Sequence, residues 1–251
     1  MGRTSTPKPH PRTEKSSRSS PFSALRRGGQ GVRTAFTRKL LAWWARAARD
    51  LPWRKTRDPY RVLISEFMLQ QTQVSRVAEY YPRFLERFPD LETLARARPR
   101  AVREAWDGLG YYARASNLHA LARVVSRDHD GTLPDEPEEL IKLPGIGPYT
   151  AGAVASFAYE KPVPAVDTNV SRVLRRVFFD RATGNVQRTT KVWDLARALV
   201  PKTGKRAWKF NQAIMELGAL VCKARAPNCR ECPVQPVCKT GRRLVRRRVA
   251  V

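Results

Sequence analysis

Four cysteines, Cys222, Cys229, Cys232 and Cys238, crowd into 17 residues at spacing C-x6-C-x2-C-x5-C, and the rest of the chain holds none. A chain of 251 residues with 42% hydrophobic content can bury a large core, so disulfide staples are a poor explanation. Metal ligation fits better. Zinc ribbons usually need two closely spaced pairs, and only Cys229 and Cys232 form one; four thiolates also ligate a [4Fe–4S] cube. Spacing alone leaves both metals open.

Two carboxylates stand out for different reasons. Glu66 is the lone acid in Tyr60-Arg61-Val62-Leu63-Ile64-Ser65-Glu66-Phe67-Met68-Leu69, a largely apolar helical run. Burial there would raise its pKa and keep it protonated; on a solvated face it would be an ordinary surface glutamate. Asp167, in Pro164-Ala165-Val166-Asp167-Thr168-Asn169, marks the point where an irregular stretch becomes a helix, a position that capping alone explains. Between them lies Leu143-Pro144-Gly145-Ile146-Gly147-Pro148-Tyr149-Thr150-Ala151, whose glycines permit a sharp turn before a helix start that can present N–H groups to a phosphate. An ordinary turn is the alternative.

Charge narrows the partner. Forty-eight Lys and Arg against 22 Asp and Glu leave +26, and since residues 1–30 contribute seven basic and one acidic residue, the remainder keeps +20. Such an excess points to a polyanion bound through sequence-independent, salt-sensitive phosphate contacts. No apolar run approaches the roughly 20 residues of a membrane helix, and no secretory leader is evident, so no membrane partner and a cytoplasmic, nucleoid-associated location are expected, with a monomer as the default.

The elements that must position these residues are helical. Apolar residues recur every three to four positions, Gly and Pro interrupt them, and no segment alternates with period two. The fold expected is all-α. Asp58-Pro59 has the form of an N-cap and first-turn proline opening the Glu66 helix. Further helices fit residues 73–88, 99–107, 113–129, 137–143, 148–159, 168–178, 189–199 and 206–221. Residues 1–30, rich in Ser, Pro, Gly and basic side chains, are expected to form a disordered arm, and 241–251 a basic tail.

Taken together these segments resemble the MutY-type adenine DNA glycosylases of the helix–hairpin–helix, or endonuclease III, superfamily. The likeness runs from Leu51-Pro52-Trp53-Arg54 through Leu69-Gln70-Gln71-Thr72 and Gly108-Leu109-Gly110-Tyr111-Tyr112-Ala113-Arg114 to Cys238. It implies a two-lobed fold, one lobe from 58–163 with the hairpin, the other from 31–57 and 164–240 with the cluster loop. It also implies a [4Fe–4S] cluster on the four cysteines, fixing a basic loop that includes Lys223, Arg225 and Arg230.

The same resemblance implies roles. Glu66 would protonate adenine, Asp167 would stabilise the sugar cation, and Tyr149 and Asn169 would support them. Trp53, Arg54, Leu69, Val74, Gln212 and Met215 would line the base pocket. Gln71 and Tyr111 would enter the duplex to fill the gap left by the flipped base. Pro144, Gly145, Ile146 and Gly147 would grip the DNA backbone, often with a monovalent cation. Tyr149 stands where strand-nicking relatives carry a Schiff-base lysine, which implies a monofunctional enzyme of base excision repair acting on double-stranded DNA with a mismatch or oxidised base.

Two departures bear on the substrate. The chain stops soon after Cys238, where many MutY-type proteins continue into a domain that reads 8-oxoguanine, so adenine opposite guanine is expected to be processed nearly as well. Thr168 stands where many relatives have glycine. The alternatives are a thymine or uracil mismatch glycosylase of the same fold, or a non-catalytic damage-binding protein; Gln70-Gln71 and Gly110-Tyr111-Tyr112 favour adenine, and binding alone would need neither carboxylate.

Overall fold

The computed structural model describes residues 21–179 and 185–249, and among them there are helices and no strand. Twelve α-helices follow in order: α1 (Pro21–Ala47), α2 (Pro59–Leu69), α3 (Val74–Arg87), α4 (Leu91–Arg96), α5 (Pro99–Ala105), α6 (Ala113–Asp128), α7 (Pro137–Leu140), α8 (Pro148–Phe157), α9 (Thr168–Phe178), α10 (Asn185–Leu199), α11 (Gly204–Leu220) and α12 (Lys239–Val249). Residues 1–20 of the expected arm, and residues 250–251 of the expected tail, lie outside the described residues. Pro21 to Gln30, read as part of the arm, instead opens α1, and α12 runs through most of the segment read as a tail.

Local chemistry sets the helix starts. The Asp58 carboxylate accepts from Arg61 N at 2.8 Å, with Pro59 in the first turn, as the Asp-Pro pair predicts. Helix α2 is buried from Tyr60 to Met68 except at Arg61, which makes it the centre of its surroundings rather than a surface helix. Helix α3 is the opposite case, burying only Val77, Tyr81 and Phe84 along one stripe. Asp90 caps α4 through Thr93 N at 2.7 Å. That helix spans six residues, too few for periodicity to reveal it.

Two apolar cores result. One gathers α2 to α8 around Leu63, Phe67, Met68, Phe84, Trp106 and Leu118, and it includes Leu51 and Trp53, which the sequence reading had grouped with the other lobe. The second gathers Phe36 and Leu40 of α1 with α9, α10 and α11, and takes in Val234 and Cys238 from the cysteine loop. Each fully buried Leu or Phe adds about 1.5–3 kcal/mol of transfer free energy, so both cores stabilise the fold that frames the site. Met215 of α11 touches both, and the cleft between the cores lies beside it.

Candidate active site

A cleft of about 1160 Å³ runs between the two cores. Helix α2 contributes Glu66 and Leu69 to its lining, α8 contributes Tyr149, α9 contributes Asn169 and Arg172, and α11 contributes Gln212, Met215 and Glu216. Trp53, Arg54, Gln71, Val74 and Asp167 complete it. Every residue expected to act on the base, whether catalytic or lining, is therefore in one place.

Glu66 is 4% exposed, and the Tyr149 hydroxyl donates to its Oε2 at 2.7 Å. Burial pushes the Glu66 carboxyl up to about 7, the Tyr149 hydrogen bond restrains the rise, the negative charge of Asp167 adds to it, and Arg54 opposes it. Tyr149 is itself driven well above its ordinary range by burial and by the two carboxylates, so it stays a hydroxyl donor. It can stay there because Tyr149 sits in the first turn of α8, directly after the glycine turn, while Glu66 projects from the helix packed against it.

Asp167 both caps and faces the cleft. Its Oδ1 accepts from Val170 N at 2.6 Å, and its Oδ2 accepts from Asn169 Nδ2 at 2.8 Å. Burial raises this carboxyl above its ordinary value, while the Val170 and Asn169 hydrogen bonds and the Arg172 charge hold the rise back. Capping and chemistry are compatible, because the cap fixes the rotamer without consuming the acceptor capacity of a carboxylate.

The cleft lining also contains a residue that the sequence does not single out. Glu216, 1% exposed, accepts from Arg49 Nη2 and Arg54 Nη2, each at 2.8 Å, and from Arg49 Nε at 2.8 Å. Despite its burial, these guanidiniums hold it down at about 2. Arg54 Nε also donates to Gln212 Oε1 at 2.8 Å, so the Gln212 amide is oriented with its nitrogen turned elsewhere. A lone acid in the apolar run Ala213-Ile214-Met215-Glu216-Leu217 is the same signal that singled out Glu66.

Gln71 and Tyr111 both adopt the left-handed backbone region, at φ 58° and 47°. For residues with a Cβ this costs roughly 1–2 kcal/mol each, the kind of strain that persists where surrounding structure enforces it. Tyr111 is 61% exposed and is therefore not a core aromatic. Trp53 is buried, edge-on to Tyr81 at 5.7 Å between centroids, and is both a core residue and a cleft wall. In the hairpin segment Ile146 is buried, while Pro144, Gly145 and Gly147 are not. Gly145 has φ 76°, and a Cβ there would sit 2.7 Å from Asn117 Cβ. Gly147 precedes α8 with no side-chain cap, leaving that helix start open to an anion.

The cysteine loop packs against α9. Cys222, Cys229, Cys232 and Cys238 line one small apolar pocket, and burial together with the other three sulfurs drives the Cys232 thiol up to about 12. Among the described residues no group of three or more His, Cys, Asp or Glu is arranged to hold a single metal ion. Four cysteines lining one pocket supply the thiolate donors that a [4Fe–4S] cluster takes. Arg176 donates to Cys222 O, Lys223 O and Ala224 O, and Arg172 Nε donates to Cys222 O at 2.7 Å. Arg172 Nη2 also donates to Asn169 Oδ1 at 2.6 Å, so hydrogen bonds run unbroken from the first cysteine to Asp167. A Cβ on Gly218 would approach Asn169 Cβ to 2.6 Å, which is why α11 can lie so close beneath this chain of contacts. Lys223, Arg225 and Arg230 are exposed.

The chain is similar to known DNA glycosylases in sequence and in fold. An adenine DNA glycosylase of Rattus norvegicus is 46% identical over 224 residues, 84% of this chain and 42% of that protein. One of Mycobacterium tuberculosis is 45% identical over 205 residues, 81% of this chain and 67% of that protein. The chain thus spans less than half of the rat relative and two thirds of the mycobacterial one. Among solved structures, a thermostable thymine-DNA glycosylase superposes with a TM-score of 0.78 at 32% identity, covering 86% of this chain and 99% of that one. A trapped endonuclease III–DNA covalent intermediate does so with 0.73 at 26% identity, covering 86% and 98%. Residues 64–198, which carry both carboxylates and the hairpin, match the family described as HhH-GPD superfamily base excision DNA repair protein, and it is to that superfamily that this chain belongs.

Proposed function

We propose that this protein is a monofunctional DNA glycosylase that removes adenine mispaired with guanine or 8-oxoguanine in double-stranded DNA. The observation that carries the reading is Glu66: a buried carboxyl near 7, hydrogen-bonded by Tyr149, in the same cleft as Asp167. One carboxyl is poised to give a proton at neutral pH, while the other is hydrogen-bonded in the way that favours its anion. Adenine is preferred to thymine because the adenine DNA glycosylases share 45–46% of aligned residues with the chain, against 32% for the thymine-DNA glycosylase.

The reaction follows from these positions. A mispaired adenine leaves the stack and enters the cleft against Trp53, Leu69, Val74 and Met215, with Gln71 and Tyr111 occupying the space it vacates. Arg54 and Gln212, tied to Glu216, offer polar contacts to the base edge. Glu66 donates its proton to adenine N7, the glycosidic bond breaks with its electron pair passing to the base, and the Asp167 charge stabilises the oxocarbenium sugar. Water then adds to C1′ and its proton returns to Glu66. Tyr149 supplies no amine, so no Schiff base forms and the strand stays intact. Outside the cleft, Pro144 to Gly147 and the start of α8 hold a backbone phosphate.

Cys222, Cys229, Cys232 and Cys238 would hold a [4Fe–4S] cluster, which supplies a cross-link of the loop and a one-electron couple. The loop then presents Lys223, Arg225 and Arg230 to DNA, and Arg172 and Arg176 hold it against α9. About four irons per chain, with absorption near 400 nm lost on cluster removal, is the expected analysis; stoichiometric zinc would overturn it.

The substrate is tested by single-turnover base release from duplexes carrying A·8-oxoguanine, A·G, T·G or U·G, with Asp167→Asn as control. Adenine release from the first two, abolished in the variant, is expected. Release of thymine or uracil without adenine would replace this substrate with the other, and strand breakage without heat or base would contradict the monofunctional reading.

A further inference from the structure

Arg114 is a buried arginine with no carboxylate partner among the described residues. It stands in the first turn of α6, and its guanidinium donates to neutral oxygens of two segments, the C-terminal end of α2 with the turn after it and the loop just before α6. Nη1 donates to Phe67 O at 2.9 Å, Met68 O at 2.8 Å and Gln70 O at 2.6 Å. Nη2 donates to Thr72 Oγ1 at 3.0 Å, Leu109 O at 3.0 Å and Gly110 O at 2.9 Å. The carbonyls of Gln70 and Gly110 are those immediately preceding Gln71 and Tyr111, the two residues held in left-handed backbone. One nitrogen thus grips the peptide leading into each. Thr72 Oγ1 reaches Leu109 O at 3.4 Å and closes the same bridge, and the guanidinium carbon lies 5.6 Å from the Tyr111 ring centroid.

We infer that Arg114 is a positioning residue that locks Gln71 and Tyr111 into one preset wedge, so that its contribution is to extrusion of the target base rather than to breaking the bond. The inference rests on the glycosylase reading above and adds to it the device that sets both duplex-entering residues at once. A guanidinium is suited to this because its donors are fixed in a plane and point to opposite sides, whereas a lysine ammonium is a single point that cannot span the two segments. Keeping the spacing of the two residues rigid before DNA arrives means that no ordering cost falls on the step in which the base leaves the stack.

The test separates extrusion from chemistry. In an Asp167→Asn background, which turns over nothing, 2-aminopurine placed beside the mispaired adenine reports unstacking when the protein binds. Arg114→Lys is expected to bind duplex within about twofold of its parent at matched salt yet to give a smaller fluorescence rise. In the active background, Arg114→Lys should slow adenine release from A·G about tenfold, and only about twofold when the adenine faces an abasic site, because an unpaired base is cheaper to extrude. Added to a Gln71→Ala, Tyr111→Ala protein, it should slow release little further, since the residues it positions are gone. Equal slowing on both substrates, an undiminished fluorescence rise, or additive effects would overturn the proposal.

Thermal melting checks that Arg114→Lys folds. If it does not, Thr72→Val, which deletes one acceptor while keeping the side-chain shape, must show the same substrate-dependent signature at smaller size, and its absence overturns the proposal as well. A protein that releases adenine from neither duplex refutes the substrate reading, while the fluorescence arm still decides whether Arg114 sets the wedge.

Discussion

Two buried glutamates line one cleft and have opposite fates. Glu66, 4% exposed, is pushed up to about 7, while Glu216, 1% exposed, is held at about 2. Burial opposes ionisation at both. The difference lies in what meets the carboxylate: a neutral tyrosine hydroxyl and a second carboxylate at Glu66, two guanidiniums at Glu216. One glutamate is built to keep a proton and the other to refuse one, so a base held in the cleft would meet both a proton donor and fixed charge.

Breaking the proton-holding glutamate gives the largest effect. Glu66→Gln keeps the shape and removes the transferable proton, and single-turnover base release should fall by on the order of 10³, within the range of general-acid contributions. A loss of less than tenfold would mean that the proton comes from elsewhere.

Breaking the charged glutamate should act on stability first. Glu216→Gln leaves two guanidiniums facing a neutral amide, and loss of one partner from such a buried network costs roughly 3 kcal/mol, read from urea melts at pH 7. Because the Glu216 pKa is depressed in the folded state, its contribution in the parent protein is present above the ordinary glutamate range and lost as pH falls toward about 2. The variant should therefore show a smaller acid dependence over that window.

Glu66 carries the opposite sign. Its pKa is raised by folding, so stability is fully present below the ordinary glutamate range and is lost as pH rises through about 7. Glu66→Gln should accordingly be more stable than its parent at pH 8, by on the order of 2 kcal/mol, and gain little at pH 5. Equal stability at both pH values would place the side chain in solvent.

The same pair shows how much of the site is legible in sequence. A single acid inside an apolar helical run marks both Glu66 and Glu216, and Asp58-Pro59, the glycine turn and the start of α9 at Asp167 are visible as local chemistry. What each acid touches is not local. Arg49 lies 167 positions from Glu216 and Tyr149 lies 83 from Glu66, so only folding reveals which acid meets a cation. Arg114 escapes for a related reason: an arginine near a helix start reads as a surface charge, and its buried role depends on carbonyls at the end of α2, 47 to 44 positions away, as well as on the adjacent loop. In the fold, periodic helices such as α3, α6 and α11 can be read directly, while α4 is too short, and the whole of α1, Pro21 to Ala47, is absent from the helices expected in sequence, its beginning being too rich in Gly and Ser to show a pattern.

The contrast between the two glutamates is open to one direct measurement, a carbon-13 NMR titration of the glutamate side-chain carboxyls with Glu66→Gln and Glu216→Gln used to assign the two signals. A Glu66 midpoint near 7 with Glu216 ionised down to about 2 is the predicted result. A Glu66 midpoint in the ordinary range near 4.5 would contradict the account, because both glutamates would then be anions at neutral pH and Glu66 would have no proton to give.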